Sequence, residues 1–408
     1  MTFSHTALAV PLIAMTYLGV AVGAYPRLRM NRATIALVGA VALIALGLMP
    51  LEVALASLDA NTLLLLFAMM IVNAHLRLAG FFQWVSAFIF ARAQSPRILL
   101  AWIILAAGLL SALFLNDTIV LMFTPMVLEV TTTLKRNPLP YLVGLATAAN
   151  IGSTATITGN PQNMLIGMAS QISFVAFLAA LAPVALIGLG IAWLVLVAIY
   201  RDEFAVTRFD VARAVPARVY APLLQKSLAL VGLMLIAFFA GAPIALAALA
   251  VAAALLVTRR VKPERIFAQV DWSLLVFFSG LFVVTGALSY THWSDELFAF
   301  AEPLARGGVA PLAIVTAALS NLISNVPAVM LFRPLVPQFA EPTRAWLTLA
   351  MASTLAGNLT LLGSVANLIV AESARARGVK LSFAEYLRAG VPITLLTVAV
   401  GIVWLNVL

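Results

Sequence analysis

Cysteine is absent from this 408-residue sequence, and charged side chains are scarce. Without cysteine, the chain can form no disulfide, no thiolate metal site and no thiol nucleophile. Charged residues make up 10% of the sequence, whereas soluble domains carry about 25%. The chain has only three histidines and shows no Walker motif or nucleophile–base pair. We therefore expect a protein that is not an enzyme and that uses no metal or other cofactor.

Long apolar runs fill the chain instead. Hydrophobic residues account for 63% of the sequence, and the apolar runs are close to the length of about 20 residues that crosses a bilayer as a helix. We expect a polytopic helical protein that is embedded in the lipid bilayer. The net charge of +9 does not indicate nucleic-acid binding, because the basic residues lie in loops between the apolar runs.

The basic residues also predict the orientation of the chain. If the N-terminus is external, all lysines and arginines fall on one side of the membrane except Arg306, Arg333 and Arg344. Basic loops mark the cytoplasmic side of a membrane protein. The sequence therefore predicts a multi-pass protein of the bacterial inner membrane with both termini external.

An Asn-Asp pair interrupts the apolar stretch 110–127, and a similar stretch returns in the second half as 319–336. Each copy begins and ends beside loops of the same side, so each predicts a re-entrant hairpin that turns inside the membrane. The first hairpin would enter from the cytoplasm and the second from outside. Identical residues in the two copies include Leu110/Leu319, Ser111/Ser320, Asn116/Asn325, Phe123/Phe332 and Pro125/Pro334.

A second motif is also repeated, in residues 145–170 and 349–374. Each copy has an apolar run, then about a dozen residues rich in Gly, Ser, Asn and Thr, then another apolar run. This pattern predicts a helix that is broken inside the membrane, where non-helical backbone survives only beside protein or water. Identical pairs include Thr156/Thr360, Gly159/Gly363 and Asn163/Asn367.

The two motifs together predict an all-α polytopic membrane protein with two inverted-topology repeats. Residues 1–200 form the first repeat, residues 201–225 a cytoplasmic linker and residues 226–408 the second repeat. The predicted re-entrant hairpins are 98–134 and 309–338, and the predicted broken helices are 139–172 and 344–375.

We expect the hairpin tips and the breaks to meet in one site near the middle of the membrane. Asp117 is the predicted group for proton or ion coupling, because an ionisable residue inside a membrane is usually functional. Arg333 either contacts an anion or extends to the outer interface. The alternative role for the tip residues is to cap the helices. The predicted substrate-binding residues are Asn116, Thr118, Asn150, Gly152, Ser153, Thr154, Ser324, Asn325, Thr354 and Asn358.

At these motifs the chain resembles the ion transporter superfamily. Asn116-Asp117 and Ser324-Asn325-Val326-Pro327 look like the hairpins of its arsenite permease and sodium/proton antiporter branch. The stretches 159–163 and 357–367 look like those of its anion permeases and citrate-transporter-like domains. The resemblance implies a scaffold, a moving transport subdomain and often a homodimer. Sodium-coupled dicarboxylate relatives carry Ser-Asn-Thr at both tips, and this chain does not.

The resemblance and the residues together predict a secondary active transporter that works by alternating access. Its substrate would be a small anion, or arsenite or antimonite, coupled to protons. Arsenite would bind as a neutral trihydroxide, since the chain offers it no thiolate. The alternatives are a Na+/H+ antiporter of the same fold, a sodium-coupled carboxylate transporter and an anion channel. A cytoplasmic ATPase is a further partner to consider.

Overall fold

The computed structural model of the protein describes residues 3–25, 28–205, 219–291 and 307–408, together with residues 293, 296, 299 and 303. Across these ranges the chain is helical, apart from turns and one short antiparallel ribbon of β1 (Ala24–Tyr25) and β2 (Met30–Asn31). The centre of the predicted linker 201–225 lies outside the described residues.

The first half supplies ten α-helices in its described part. They are α1 (Phe3–Val22), α2 (Arg32–Ala45), α3 (Leu51–Ala56), α4 (Ala60–Ala79), α5 (Phe81–Arg92), α6 (Pro96–Leu113), α7 (Asn116–Thr133), α8 (Leu139–Ser153), α9 (Pro161–Ser170) and α10 (Phe174–Ile199).

The second half supplies the helices α11 to α19 in the ranges that the structure describes. They are α11 (Ala221–Phe239), α12 (Ile244–Leu256), α13 (Pro263–Phe267), α14 (Trp272–Tyr290), α15 (Val309–Ile323), α16 (Asn325–Phe332), α17 (Pro342–Ala356), α18 (Val365–Arg375) and α19 (Phe383–Val407). By length and composition, α4, α6, α10, α11, α14 and α19 could each cross a membrane.

Both predicted hairpins and both predicted breaks are present. The first hairpin is α6 and α7, which join at Phe114 and Leu115, and the second is α15 and α16, which join at Ser324. The first broken helix is α8 and α9, and the second is α17 and α18. The fold prediction of an all-α membrane protein with two repeats is therefore confirmed.

The two halves pack against each other in a reciprocal way. Helix α2 of the first half packs on α14 of the second, and its counterpart α12 packs on α4. Within each half, the first arm of the hairpin packs along the first part of the broken helix, as α6 on α8 and as α15 on α17. Such pairing is what two copies of one design produce when a pseudo-twofold axis relates them.

In each break, one asparagine pairs with several backbone carbonyls. The Nδ2 atom of Asn163 donates to the carbonyl oxygens of Ser153 and Thr156, each at 3.0 Å. In the second half, Asn367 Nδ2 donates to the equivalent oxygens of residues 357 and 360, at 2.7 and 3.1 Å. An unpaired carbonyl is costly in hydrocarbon, so these side chains allow the helices to break where they do.

Glycine at position 152 lets α8 approach α6 closely. A Cβ atom on Gly152 would overlap the backbone of Gly108 on α6, so this contact leaves no room for a side chain. By contrast, a Cβ atom on Gly190 of α10 would have no atom within 4 Å. Backbone-to-backbone contact through small residues is a common way for membrane helices to pack.

We predict that Gly152→Ala destabilises the protein by about 1–3 kcal/mol, the usual effect of overpacking a tight contact. The matched variant Gly190→Ala should be neutral or slightly stabilising, since alanine favours a helix and nothing obstructs its methyl group. Thermal unfolding of the two purified variants in detergent would test this. Equal melting temperatures for both variants would contradict the close contact between α6 and α8.

Candidate functional site

Four helices begin around one cavity of about 320 Å³, which we call the central cavity. They are α7 and α16, which leave the two hairpin tips, and α9 and α18, which leave the two breaks. The first N–H groups of a helix have no partner within it, and they give its N-terminus a partial positive charge. The wall includes Asn116, Asp117, Pro161, Gln162, Ser324, Asn325, Val326, Ser364 and Val365.

The opposite wall of the central cavity comes from the starts of α2 and α14. It contributes one basic residue, Arg32, and a second acidic residue, Asp271. Arg32 and Asp117 are half-buried, and Asp271 is exposed. Within the described residues, none of these three forms an ion pair. The cavity therefore combines unpaired charges of both signs with polar groups and helix N-termini.

The two hairpin tips lie against the two breaks. The backbone N–H of Asn116 donates to the carbonyl of Gly159 at 3.1 Å, in the first break. In the second hairpin, Asn321 Nδ2 donates to the carbonyl of Ala356 at 3.0 Å. Ser324 at that tip has a φ of 78°, a left-handed conformation that is uncommon for a residue with a side chain.

Asn150 makes four hydrogen bonds, three of which connect the first repeat to the second. Its Oδ1 atom accepts from Asn116 Nδ2 and from Ser364 Oγ, both at 3.0 Å. Its Nδ2 atom donates to the Oδ1 atoms of Asn358 at 2.9 Å and Asn367 at 3.1 Å. A carboxamide has two donors and two acceptor positions, so Asn150 is fully occupied within the protein.

Thr354 occupies the equivalent position in the second repeat and makes the reciprocal contacts. Its Oγ1 atom accepts from Asn160 Nδ2 at 3.3 Å and Gln162 Nε2 at 3.2 Å, and it lies 3.4 Å from Asn163 Oδ1. Asn160 caps α9 as Ser364 caps α18. Asn150 of the first half therefore holds the start of α18, and Thr354 of the second half holds the start of α9.

The structure divides the predicted site residues into groups. Asn116, Asp117, Ser324 and Asn325 line the central cavity, and Thr118 lines a neighbouring cavity. Gly152 contacts α6. The remaining predicted substrate-binding residues do not line the central cavity, and they are buried behind it in the hydrogen-bond network; they are Asn150, Ser153, Thr154, Thr354 and Asn358.

Arg333 lies outside the central cavity and pairs with Asp59 at the start of α4. Its Nη2 atom is 2.9 Å from Asp59 Oδ2, and its guanidinium is 5.1 Å from the ring centre of Phe282. Asp59 and Asp271 are equivalent, since each caps the helix that follows it. The residue equivalent to Arg333 is Thr124, so Asp271 has no corresponding ion-pair partner.

Several residues of the cavity wall were not among the predicted site residues. Gln162 and Ser364 lie inside the repeated break motifs, so their place in the motif was an available signal. Arg32 belongs to a basic loop, which indicates only the orientation of the chain. Asp271 comes from a helix outside the two motifs. Nothing in the local sequence marks these two charged residues as part of the cavity.

Known proteins of similar sequence are membrane transporters. The family profile described as "CitMHS: Citrate transporter" matches residues 12–356. The chain is 34% identical to the rice protein named silicon efflux transporter LSI3, over 92% of this chain and 93% of that one. It is 31% identical to the uncharacterized transporter Rv2684 of Mycobacterium tuberculosis, over 92% and 94%.

Two more distant similarities agree with this. A Dictyostelium discoideum protein named putative transporter arsB is 24% identical, over 92% of this chain and 87% of that one. The crystal structure of the Alcanivorax borkumensis YdaH transporter covers 99% of this chain and 98% of that one with a TM-score of 0.64, at 14% identity. At that identity the structural match shows the fold alone. The profile match and the rice relative show the family: the chain belongs to the CitMHS citrate-transporter family of the ion transporter superfamily, and it is a membrane transporter.

Proposed function

We propose that the protein is a proton-coupled secondary transporter that exports a small, uncharged oxyacid such as arsenite by alternating access. The observation that carries this proposal is the lining of the central cavity. Hydroxyl and carboxamide groups face it from both hairpin tips and both breaks, at the starts of four helices.

The polar lining suits a solute that presents several hydroxyl groups. Asn325 Oδ1 is buried without a hydrogen-bond partner among the described residues, so it is free to accept from a solute hydroxyl. Helix N-termini can donate to the solute oxygens. Arsenite as the trihydroxide meets both requirements without a thiolate, and the chain has no cysteine to supply one. The silicon efflux named in the rice relative concerns a similar chemical class, since silicic acid is also an uncharged oxyacid.

Asp117 is the group that would carry the coupling proton. It lies at the tip of the first hairpin, half-buried in the wall of the central cavity. The equivalent residue of the second hairpin is Val326, so the two repeats contain a single carboxylate at this position. A carboxylate that is accessible from the cavity and free of a basic partner can bind and release a proton as the cavity changes sides.

We assign the central cavity to the cytoplasmic side. Its wall includes Arg32, the last residue of the basic loop 27–32. The wall also includes Asp271, which comes shortly after the basic loop 259–265. Basic loops indicate the cytoplasm. The Asp59–Arg333 pair then lies on the outer side, and both termini are external. A bacterial inner-membrane location, a homodimer and a cytoplasmic ATPase partner stay predictions.

A small anion is a second candidate substrate, which the electrostatics of the cavity favour. Four helix N-termini converge on the cavity, and Arg32 lines it without an ion pair in the described part of the chain. The carboxylates of Asp117 and Asp271 oppose an anion in the same space. A transport assay with charged and uncharged solutes would distinguish the two candidates.

We predict that Asp117→Asn lowers substrate-driven proton flux by roughly tenfold or more, a typical size for coupling between two ligands. Proteoliposomes with a trapped pH dye would receive arsenite, sulfate, phosphate, citrate, succinate or sodium in turn. Arsenite should give the signal with the wild type, because its hydroxyl groups suit the hydroxyl and carboxamide groups of the lining, and Asp117→Asn should remove it.

The control for this experiment is Glu52→Gln, which removes a carboxylate on the exposed surface of α3. It should transport as the wild type does. A proton signal of equal size in Asp117→Asn and the wild type would show that another group carries the proton. A signal with sulfate or citrate alone would favour the anion.

We also predict that Asn150→Ala destabilises the fold, because Asn150 positions the site and has no hydrogen-bonding position left for a solute. The change leaves buried partners unpaired on Asn116, Ser364, Asn358 and Asn367, at about 1–3 kcal/mol for an unsatisfied group. Thermal unfolding should show a lower melting temperature than for Asn406→Ala, an exposed residue near the end of α19. Normal stability with altered substrate preference would instead make Asn150 a substrate contact.

A further inference from the structure

A second cavity of about 200 Å³ lies beside the central cavity, between α4, α7, α14 and α18; we call it the side cavity. The two cavities share a wall, which consists of Asp117, Pro161, Asp271, Leu274 and Val365. Two of these residues are charged, and both are acidic. Asp117 and Asp271 stand in the same wall, where their like charges repel each other. Both carboxylates are therefore accessible from either cavity.

Asn73 of α4 contributes an unpaired oxygen to the side cavity. The residue is 3% exposed, and it lines the cavity together with Thr118. Its Nδ2 atom is 3.4 Å from Thr118 Oγ1, and its Oδ1 atom has no hydrogen-bond partner among the described residues. Buried polar atoms are nearly always paired, so an unpaired amide oxygen beside a cavity is available to a ligand in that cavity.

The polar groups of the side cavity are an exception to the twofold design. The hydrogen-bond network of the breaks is reciprocal between the halves, but this cluster is not. Its counterparts in the second half are apolar or already paired. They are Val326 for Asp117, Pro327 for Thr118, Thr285 for Asn73 (bonded to Tyr17 at 2.7 Å) and Asp59 for Asp271 (paired with Arg333 at 2.9 Å).

We infer that the side cavity is the binding site of the coupling cation, a proton or Na+, and that Asp271 and Asn73 form it with Asp117. This inference rests on the proposed coupled transport and specifies where coupling occurs. The available ligands are two carboxylates, the amide oxygens of Asn73 and Gln269, and the hydroxyl of Thr118, a set of hard oxygen donors. Because only one repeat has this set of ligands, we expect one coupling-cation site per chain.

The charges around the site leave the two carboxylates uncompensated. Arg77 lines the side cavity and Arg32 lines the central cavity. Neither of them forms an ion pair with Asp117 or Asp271, within the part of the chain that the structure describes. Exposed Asp271 connects the site to water, while Asp117 stands at the tip of the first hairpin. A cation bound between them neutralises repulsion at the wall that also borders the substrate.

The test compares two modes of arsenite transport in proteoliposomes of the full-length protein. The first mode is accumulation of radiolabelled arsenite driven by a pH gradient or by a Na+ gradient. The second is arsenite exchange with equal pH and Na+ on both sides, which needs no net movement of the coupling ion. We expect Asp271→Asn and Asn73→Leu to lower gradient-driven accumulation by roughly tenfold. Asn73→Leu, which changes the side cavity only, should leave exchange within about twofold.

The controls use positions that do not line either cavity. Thr285→Val removes the hydroxyl at the position equivalent to Asn73, and Glu52→Gln removes a surface carboxylate. Both should behave as the wild type in the two modes. Asp271→Glu and Asn73→Gln keep the oxygen ligands, so partial recovery of accumulation in them would show that Asp271→Asn and Asn73→Leu did not fail merely by misfolding.

The outcomes separate this inference from the proposed function. The pH and Na+ arms with the wild type identify the coupling ion. If the wild type couples to an ion but Asp271→Asn and Asn73→Leu accumulate arsenite normally, the side cavity is not the coupling site. Loss of both exchange and accumulation in Asn73→Leu would place Asn73 at the substrate instead. A wild type that exchanges arsenite without responding to either gradient would reject coupled transport itself, and the inference with it.

Discussion

A helix that stops in the middle of a membrane exposes backbone groups that hydrocarbon cannot satisfy, and the rest of this structure depends on how that problem is solved. Asn163 and Asn367 satisfy carbonyl groups of the two breaks, and Asn150 ties one break to the other. Once the breaks are stable, four helices can begin at the same place. The positive ends of those helices and the polar residues at the hairpin tips then line a polar cavity. In hydrocarbon these polar groups would have no partners.

The sequence predicts the hairpins and breaks because each appears twice, and a polar interruption repeated at equivalent places in two apolar segments is typical of a duplicated transporter. Residues at the hairpin tips, such as Asn116 and Ser324, could also be placed at the site. The tip of a re-entrant hairpin lies inside the membrane, where the breaks also lie. Inside the breaks this reasoning is weaker. Side-chain directions in non-helical backbone follow no period, so the sequence cannot distinguish a residue that faces the cavity from one, such as Asn358, that holds the broken segments together.

Residues from outside the two motifs were harder to place. Arg32 and Asp271 begin helices that pack across from the hairpin tips, and their distance from Asp117 depends on how the two halves assemble. No local pattern indicates that assembly. Asn73 is a stronger example, because one asparagine in the apolar helix α4 is equally consistent with a buried structural role. Its significance comes from its unpaired oxygen and from the cavity beside it, both of which are properties of the folded chain.

The ion pair between Asp59 and Arg333 joins α4 to the second hairpin, and the first hairpin has threonine where Arg333 would be. In a perfectly duplicated protein, the pseudo-twofold axis would relate the state that opens to one side of the membrane to the state that opens to the other. The two states would have equal free energy and would be equally populated without substrate. An ion pair that has no counterpart among the described residues makes the two states unequal in free energy. In the alternating-access cycle that we propose, the resting population would then be set by the chain itself, and the work of the cycle would be divided unequally between its two half-reactions.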